Sequence, residues 1–324
     1  MSGITVINVN NNCSTGSTAL FLARQAIEGG LAECVLALGF EQMNPGALGA
    51  VFEDRPNPLE KFIESADEIE GKSKVPVALR LFGGAGLEHQ KKYGTRDETF
   101  ARVSQKARLH AKHNPRAIFR DEVSIEEVLS SPPMHGVLTR LQCCPPTCGA
   151  AAALLTSEKF AKKNGLHSDV KITGQSMTTD FPSSFEGKTM MQIVGWDMSQ
   201  AAANDLYERT GIGPEDVDVV ELYDFFSSNE IITYEALQLT EQGGSEQFVS
   251  DGNNTYGGKV VVNPSGGLLS KGHPLGATGL GQCAELVWQL RGEAGPRQVE
   301  GARVGLQHNL GLGGACVVSL YQKA

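Results

Sequence analysis

The amino-acid sequence predicts an α/β protein built from two related halves, the first of them interrupted by a mostly helical insertion. Three observations carry this prediction. Ile7 to Phe40 reads as strand, polar elbow, helix and strand. Val260 to Trp288 repeats the order of strand, elbow and helix, with His273 at the second elbow. Between the two, from about Asn44 to Pro133, Pro and Gly breaks and mixed charge displace the strand-and-helix text.

The first strand runs into Asn10-Asn11-Asn12-Cys13-Ser14-Thr15-Gly16. Ser14 and Thr15 suit a helix N-terminus, and Gly16 and Ala19 permit close packing. Thr15 to Gly29 carries Ala19, Leu20, Leu22, Ala23 and Ile27 as its apolar positions and stops at Gly29-Gly30. Cys34 to Phe40 is nearly continuous apolar text, the pattern of a buried parallel strand. In the insertion, Leu87 to Tyr93 and Thr95 to His110 read as amphipathic helices. His110 and His113 read as surface or capping residues, because no carboxylate–His pattern at metal spacing surrounds them.

Leu141 to Leu155 returns to core text, and Ser157 to Asn164 closes as a short helix. Val170 to Gly174 opens the second half, followed by a helix over Met198 to Gly211 and a strand over Val217 to Tyr223. Ser227-Ser228-Asn229-Glu230 starts a helix running to about Leu237. Val260 to Val262 leads into a glycine-rich loop, His273-Pro274 and a long helix through Trp288. Strands at Arg303 to Gln307 and Ala315 to Leu320 flank a turn from His308 to Gly314. The division that results is 1–43 with 141–169 as the first half, 44–140 as the insertion and 170–324 as the second half.

Composition narrows the function. The chain has 324 residues, enough for sizeable cores, and a net charge of −9 without any Lys/Arg-rich run, which argues against a nucleic-acid partner. No apolar run is long enough to span a membrane. Seven cysteines are scattered without zinc-site spacing, so no metal site is expected. The N-terminus lacks a basic leader and goes straight into a strand, so a reduced compartment is the default.

Chemistry concentrates at the two elbows. A thiol at a helix start feels unpaired N–H groups and the positive end of the helix dipole, which favour a thiolate. Taken alone, Cys13 reads equally well as a small buried cysteine or as a nucleophile. A duplicated α/β unit brings both elbows to one face, where His273 keeps the thiol deprotonated and an acyl group moves through a thioester. Developing oxyanions need fixed N–H donors, and the Cys13 amide and the Gly311 to Gly314 turn, with Gly311 and Gly313, are suppliers. His308 is either a donor or second acid/base, or a structural turn residue. Gly266-Gly267 lacks a phosphate-loop frame.

At these residues a family resemblance emerges. Asn10 to Gly16, Asn263-Pro264-Ser265-Gly266-Gly267 with Gly272-His273-Pro274-Leu275-Gly276-Ala277-Thr278-Gly279, and Gln307-His308-Asn309-Leu310-Gly311 resemble the thiolase family. More narrowly they resemble the sterol carrier protein 2/X-type 3-ketoacyl-CoA thiolases, and the likeness covers essentially the whole chain. It implies two βαβαβαββ halves with a helical loop domain, usually in a dimer. It also implies thiolytic cleavage of a 3-ketoacyl-CoA, or the reverse Claisen condensation, with Cys13 as nucleophile and His273 as its activator. Ser265 and Gly266 enter as substrate-side residues. Acyl-CoA is the implied partner, and coenzyme A is substrate and product, so no cofactor is required. Relatives are often peroxisomal, although Gln322-Lys323-Ala324 is unlike a Ser-Lys-Leu-type terminus.

Three departures bear on these expectations. The family's His-Asp-Cys-Phe appears as Tyr223-Asp224-Phe225-Phe226, removing the cysteine that serves as second acid/base and the histidine that helps bind the oxyanion. Tyrosine can donate a hydrogen bond, but with a reference pKa of about 10 it is a poor base at neutral pH. Cys148 stands before Gly149 where the family pattern has Asp-Gly-Ala, and a packing effect is expected. The chain starts at what resembles the third strand of the first half, so an incomplete N-terminal half with an exposed strand edge is expected. Three readings follow: an acyltransferase, a retro-aldol lyase using Tyr223, and an impaired homologue that binds acyl-CoA or dimerises with an intact subunit.

Overall fold

A computed structural model describes residues 3–44 and 54–324. The first half opens with α1 (Thr15–Glu28) and β1 (Cys34–Glu41). The insertion contributes α2 (Glu60–Glu70), α3 (Val77–Tyr93), α4 (Asp97–Ala111), α5 (Ile125–Ser130) and a small hairpin of β2 (Pro133–His135) and β3 (Leu138–Thr139). Residues 45–53, near the expected start of the insertion at 44, lie outside the described residues. The chain then returns through β4 (Gly149–Thr156), α6 (Glu158–Asn164) and β5 (Val170–Thr178). Two short helices, α7 (Pro182–Glu186) and α8 (Met190–Ile193), precede α9 (Trp196–Thr210), β6 (Val219–Glu221), α10 (Ser227–Ala236) and α11 (Ser245–Ser250). The last elements are β7 (Val261–Val262), α12 (Gly267–Lys271), α13 (Thr278–Arg291), β8 (Val304–Leu310) and β9 (Cys316–Lys323).

The main sheet has five strands in the order β5-β9-β8-β6-β7. β9 runs antiparallel to both β5 and β8, while β6 runs parallel to both β7 and β8. Alternation along the strands splits the core in two. Leu306, Val318 and Leu320 join Met198 and Leu206 of α9 on one face. Val219 and Tyr321 join Leu286 and Leu290 of α13 on the other. Burial on both faces matches the Val and Leu residues of β6, β7 and β9.

α1 and α13 form a layer between this sheet and the two-stranded sheet β1–β4, with α13 touching β4 on one side and β6 and β8 on the other. Glycines let the two helix starts cross. A Cβ on Gly16 would lie 2.9 Å from the Gly276 carbonyl oxygen, and one on Gly279 would lie 2.0 Å from Ser17 Oγ and 2.5 Å from the Ser17 nitrogen. This main-chain contact draws the Cys13 and His273 elbows together.

The expectation for β1 needs correcting. The strand pairs antiparallel with β4, from Cys34 opposite Thr156 to Glu41 opposite Gly149. Only one face is covered: Ala37, Val35, Ala153 and Leu155 pack toward α1 and α13, while Leu36, Leu38, Phe40 and Leu154 are exposed. An uninterrupted apolar run therefore produced alternating burial, because the structure supplies a helical layer on one side alone. The text from Leu141 to Leu155 is correspondingly less buried than its composition implies.

Candidate active site

Cys13 immediately precedes Ser14, the N-cap of α1. Asn12 before it has φ of 51°, a left-handed conformation that asparagine tolerates better than most residues. The elbow is pinned from several sides. Ser14 Oγ donates to the Asn11 carbonyl at 2.8 Å, and Asn12 Nδ2 donates to the Leu312 carbonyl at 2.9 Å. The turn after β8 thus lies against the elbow, and a Cβ on Gly311 would meet the Asn11 carbonyl oxygen at 2.1 Å.

His273 is fully buried between Gly272, which has φ of 107°, and Pro274. Thr278 Oγ1 donates to the Pro274 carbonyl at 3.0 Å, so its 2.7 Å contact with His273 Nδ1 makes that nitrogen the donor. The proton therefore sits on Nδ1 and the Nε2 lone pair is free to accept. It faces the Tyr223 hydroxyl at 3.4 Å. The Cys13 thiol donates to Asn12 Oδ1 at 3.6 Å, and the Tyr223 hydroxyl is the neighbouring side chain that eases its ionisation. The Tyr223 hydroxyl thus stands beside both the Cys13 thiol and His273 Nε2.

Electrostatics put all three groups in their neutral forms. Burial pushes the Cys13 thiol up to about 12, with the Tyr223 hydroxyl acting in the opposite direction and Glu41 adding to the rise. Burial pushes His273 down to about 3, helped by Lys271, and holds Tyr223 well above its ordinary range. The helix start was expected to favour a thiolate. Desolvation outweighs the helix dipole here, because the dipole acts from one side while burial is nearly complete.

The rest of the Tyr223 to Phe226 motif braces these groups. Tyr223 stacks on Phe225 with centroids 5.7 Å apart, and Phe225 meets His273 edge-on at 5.3 Å. The Asp224 carboxylate accepts from the Leu268 amide at 2.6 Å and the Leu269 amide at 3.3 Å, where α12 begins. Burial and Glu230 raise its pKa well above the ordinary carboxylate range. Asn229 Nδ2 donates to the Tyr223 carbonyl.

Other sequence-predicted residues sit differently. His308 lies inside β8 opposite Val318, not in the turn, and is fully buried. Its Nδ1 accepts from the Tyr223 amide at 3.5 Å and its Nε2 faces Ser199 Oγ at 2.9 Å. Both ring nitrogens are thereby occupied, and the residue steadies the Tyr223 backbone. Ser265 spends its N–H (3.0 Å) and Oγ (2.8 Å) on the buried Glu221 carboxylate. Gly266 is dictated by α4, since a Cβ there would lie 2.5 Å from the Ala111 side chain. These two residues carry the glycine-rich loop past α4 rather than toward Cys13. The Gly311 N–H is committed to the Ala315 carbonyl at 2.8 Å, and Gly313, with φ of 67°, stands against Leu59. His110 is another correction: it is buried, with Nδ1 on the Asn263 carbonyl and Nε2 on Thr255 Oγ1.

Sequence reasoning missed Cys144. Its amide donates to the Phe225 carbonyl at 3.0 Å, and its buried thiol feels both Cys13 and Asp224. The adjacent Cys143-Cys144 pair was the sole signal, and it does not say which thiol turns inward.

Comparison with known proteins now adds a family. Residues 185–320 match the family described as Thiolase C-terminal domain-like. The chain is 60% identical to rabbit (Oryctolagus cuniculus) sterol carrier protein 2 over 99% of its own length and 59% of that protein's. It is 37% identical to the benzoylsuccinyl-CoA thiolase subunit BbsB of Thauera aromatica, covering 95% of this chain and 77% of the relative. The chain belongs to the thiolase family. It spans about three-fifths of the sterol carrier protein 2 relatives it matches and 77% of the BbsB subunit. Solved structures agree on the fold: the Ltp2-ChsH2(DUF35) aldolase superposes with TM-score 0.79 at 22% identity, covering 97% of this chain and 78% of that one. Human mitochondrial 3-ketoacyl-CoA thiolase gives 0.68 at 19% identity, covering 98% and 78%. Among the described residues no helix is long and apolar enough to cross a membrane.

Proposed function

We propose that this chain is an acyl-CoA acyltransferase of thiolase type. In this reading Cys13 takes the acyl group as a thioester and His273 receives the thiol proton through Tyr223. The placement of the Tyr223 hydroxyl against Cys13 and 3.4 Å from His273 Nε2 supports it most directly. A buried thiol near 12 is a poor nucleophile until its proton leaves, and a neutral imidazole with a free Nε2 lone pair is the acceptor that removes it. Tyr223 relays by giving its own proton to His273 as it takes the one from Cys13, so the phenolate never needs to accumulate. The 3-ketoacyl-CoA substrate, a homodimeric assembly and peroxisomal placement belong to this proposal by extension from the family.

A second reading rests on the same hydroxyl. Tyr223 is the acid/base best placed for retro-aldol cleavage of a CoA-linked side chain, which leaves Cys13 without a covalent role. Intact-protein mass after incubation with acetoacetyl-CoA separates the two. An acetyl adduct that disappears in Cys13→Ala supports acyl transfer. Cleavage without an adduct, abolished by Tyr223→Phe, supports the lyase, and coenzyme A binding with neither outcome supports an impaired homologue.

A further inference from the structure

Acyl transfer from a 3-ketoacyl-CoA demands a second proton-carrying group, and Tyr223 is already engaged between Cys13 and His273. When Cys13 sulfur bonds to C3 and the C2–C3 bond breaks, the bonding pair stays on C2, which must take a proton. In the second half of the cycle the same group takes the proton of the coenzyme A thiol, whose sulfur then bonds to the acyl carbon and releases Cys13. Phe225 has no proton to give at the position where the family motif carries a thiol.

The strand partner of that position does have one. Cys143 and Phe226 form an antiparallel bridge, and the Cys144 amide donates to the Phe225 carbonyl at 3.0 Å. Residues 144 and 225 are therefore direct cross-strand neighbours, whose side chains in an antiparallel pair leave the ladder on the same face. On that face the Phe225 ring touches both Tyr223 and His273. The Cys143 thiol turns the other way, to the Thr139 carbonyl at 3.4 Å. Cys144 is buried, shares a core with Cys13, Tyr223 and Phe225, and feels the charges of Cys13, Asp224 and Lys271.

Resting on the acyl-transfer reading above, we propose that Cys144 is the second acid/base of this site: a thiol displaced by one strand from residue 225. It gives its proton to C2 during cleavage and regains one from coenzyme A. Burial, Asp224 and Cys13 all raise its proton affinity, with Lys271 opposing, which suits a group that must hold a proton until a strongly basic carbanion forms beside it.

Hydrogen exchange into the α-methyl group of acetyl-CoA in D2O reads this step without requiring bond cleavage. The wild-type protein is expected to exchange and to form the Cys13 adduct. Cys144→Ala is expected to keep the adduct while losing about 10²-fold or more in exchange and in thiolytic cleavage. Cys144→Ser, which preserves size, is expected to lose as much, so packing alone does not account for the effect. Adding Phe225→Cys to Cys144→Ala returns a thiol to the neighbouring strand and is expected to restore exchange. Wild-type-like exchange in Cys144→Ala, or no exchange in the wild type, overturns the assignment. Failure to form any Cys13 adduct in the wild type overturns the acyl-transfer reading instead.

Discussion

The two elbows look alike in sequence and differ in how the fold supports them. His273 is reached from β7 and α12, whose residues are almost all buried, and it is gripped by Thr278 and edged by Tyr223 and Phe225. Cys13 is reached along residues 4–10, where Ile4, Val6 and Ile7 are more than 70% exposed. Yet Cys13 itself is only 6% exposed. Its burial comes from what lies over it, namely Tyr223, the turn after β8 and the start of α13, and not from its own approach. His273 is fixed by the element that carries it, whereas Cys13 is fixed by its neighbours.

The largest test of this contrast is acid. His110, His273 and His308 are each pushed down to about 3 by burial, while an unfolded imidazole titrates near 6.5. Below 6.5 the unfolded chain therefore holds three protons that the folded chain refuses, and stability falls as pH falls. Glu221, pushed up to about 7, Asp180, pushed up to about 6, and Asp224, also raised, keep three protons in the folded state above the ordinary carboxylate range and oppose the trend there. Below about pH 4 carboxyls are protonated in both states and the histidines act unopposed. The unfolding free energy is expected to change little from pH 6 to 4. It should then drop by about 4 kcal/mol per pH unit as three protons are taken up. A His110→Asn variant with an unchanged lower slope would show that this histidine contributes nothing to it.

Gly279→Ala strikes where the elbows lean on each other. The new methyl group would collide with the Ser17 backbone and with the Ser17 Oγ bond to Asn309 Oδ1, at 2.8 Å. Main chain cannot step aside cheaply, so a loss of about 3 kcal/mol in thermal or denaturant unfolding is expected, with Cys13 acylation falling too. Full acylation alongside lost stability would mean that the elbows keep their spacing without this contact.

The smallest effect is expected on the open approach. Ile7→Ser removes an exposed apolar side chain, and unfolding should change by less than about 0.5 kcal/mol. A larger loss would show that the approach to Cys13 is covered in solution.

Much of this architecture is legible in the sequence, because periodicity and caps report on neighbours along the chain. The helix from Thr15 and the helix entered after His273-Pro274 appear where their patterns put them, and the strand expected over Val217 to Tyr223 forms over its centre, Val219–Glu221. The meeting of the elbows was legible through duplication. What stayed hidden is which polar atoms find which partners. Ser265 and Gly266 look like a ligand loop until Glu221 and Ala111 are seen beside them. His308 looks like a turn residue until Ser199 and the Tyr223 amide occupy its ring. Cys34 to Phe40 looks fully buried because an apolar run is silent about which layers the tertiary structure supplies. Cys144 gains its meaning from a residue far away in sequence, and no local pattern encodes that.

The contact between Gly16 and Gly276 and that between Gly279 and Ser17 also set what the core can tolerate. The spacing of the two elbows is ruled mainly by main chain against main chain. Substitutions that loosen the packing of β8 or α9 can drain stability while leaving that distance alone. Sequence drift in the interior would thus lower the melting temperature of this protein well before it misaligned its chemistry.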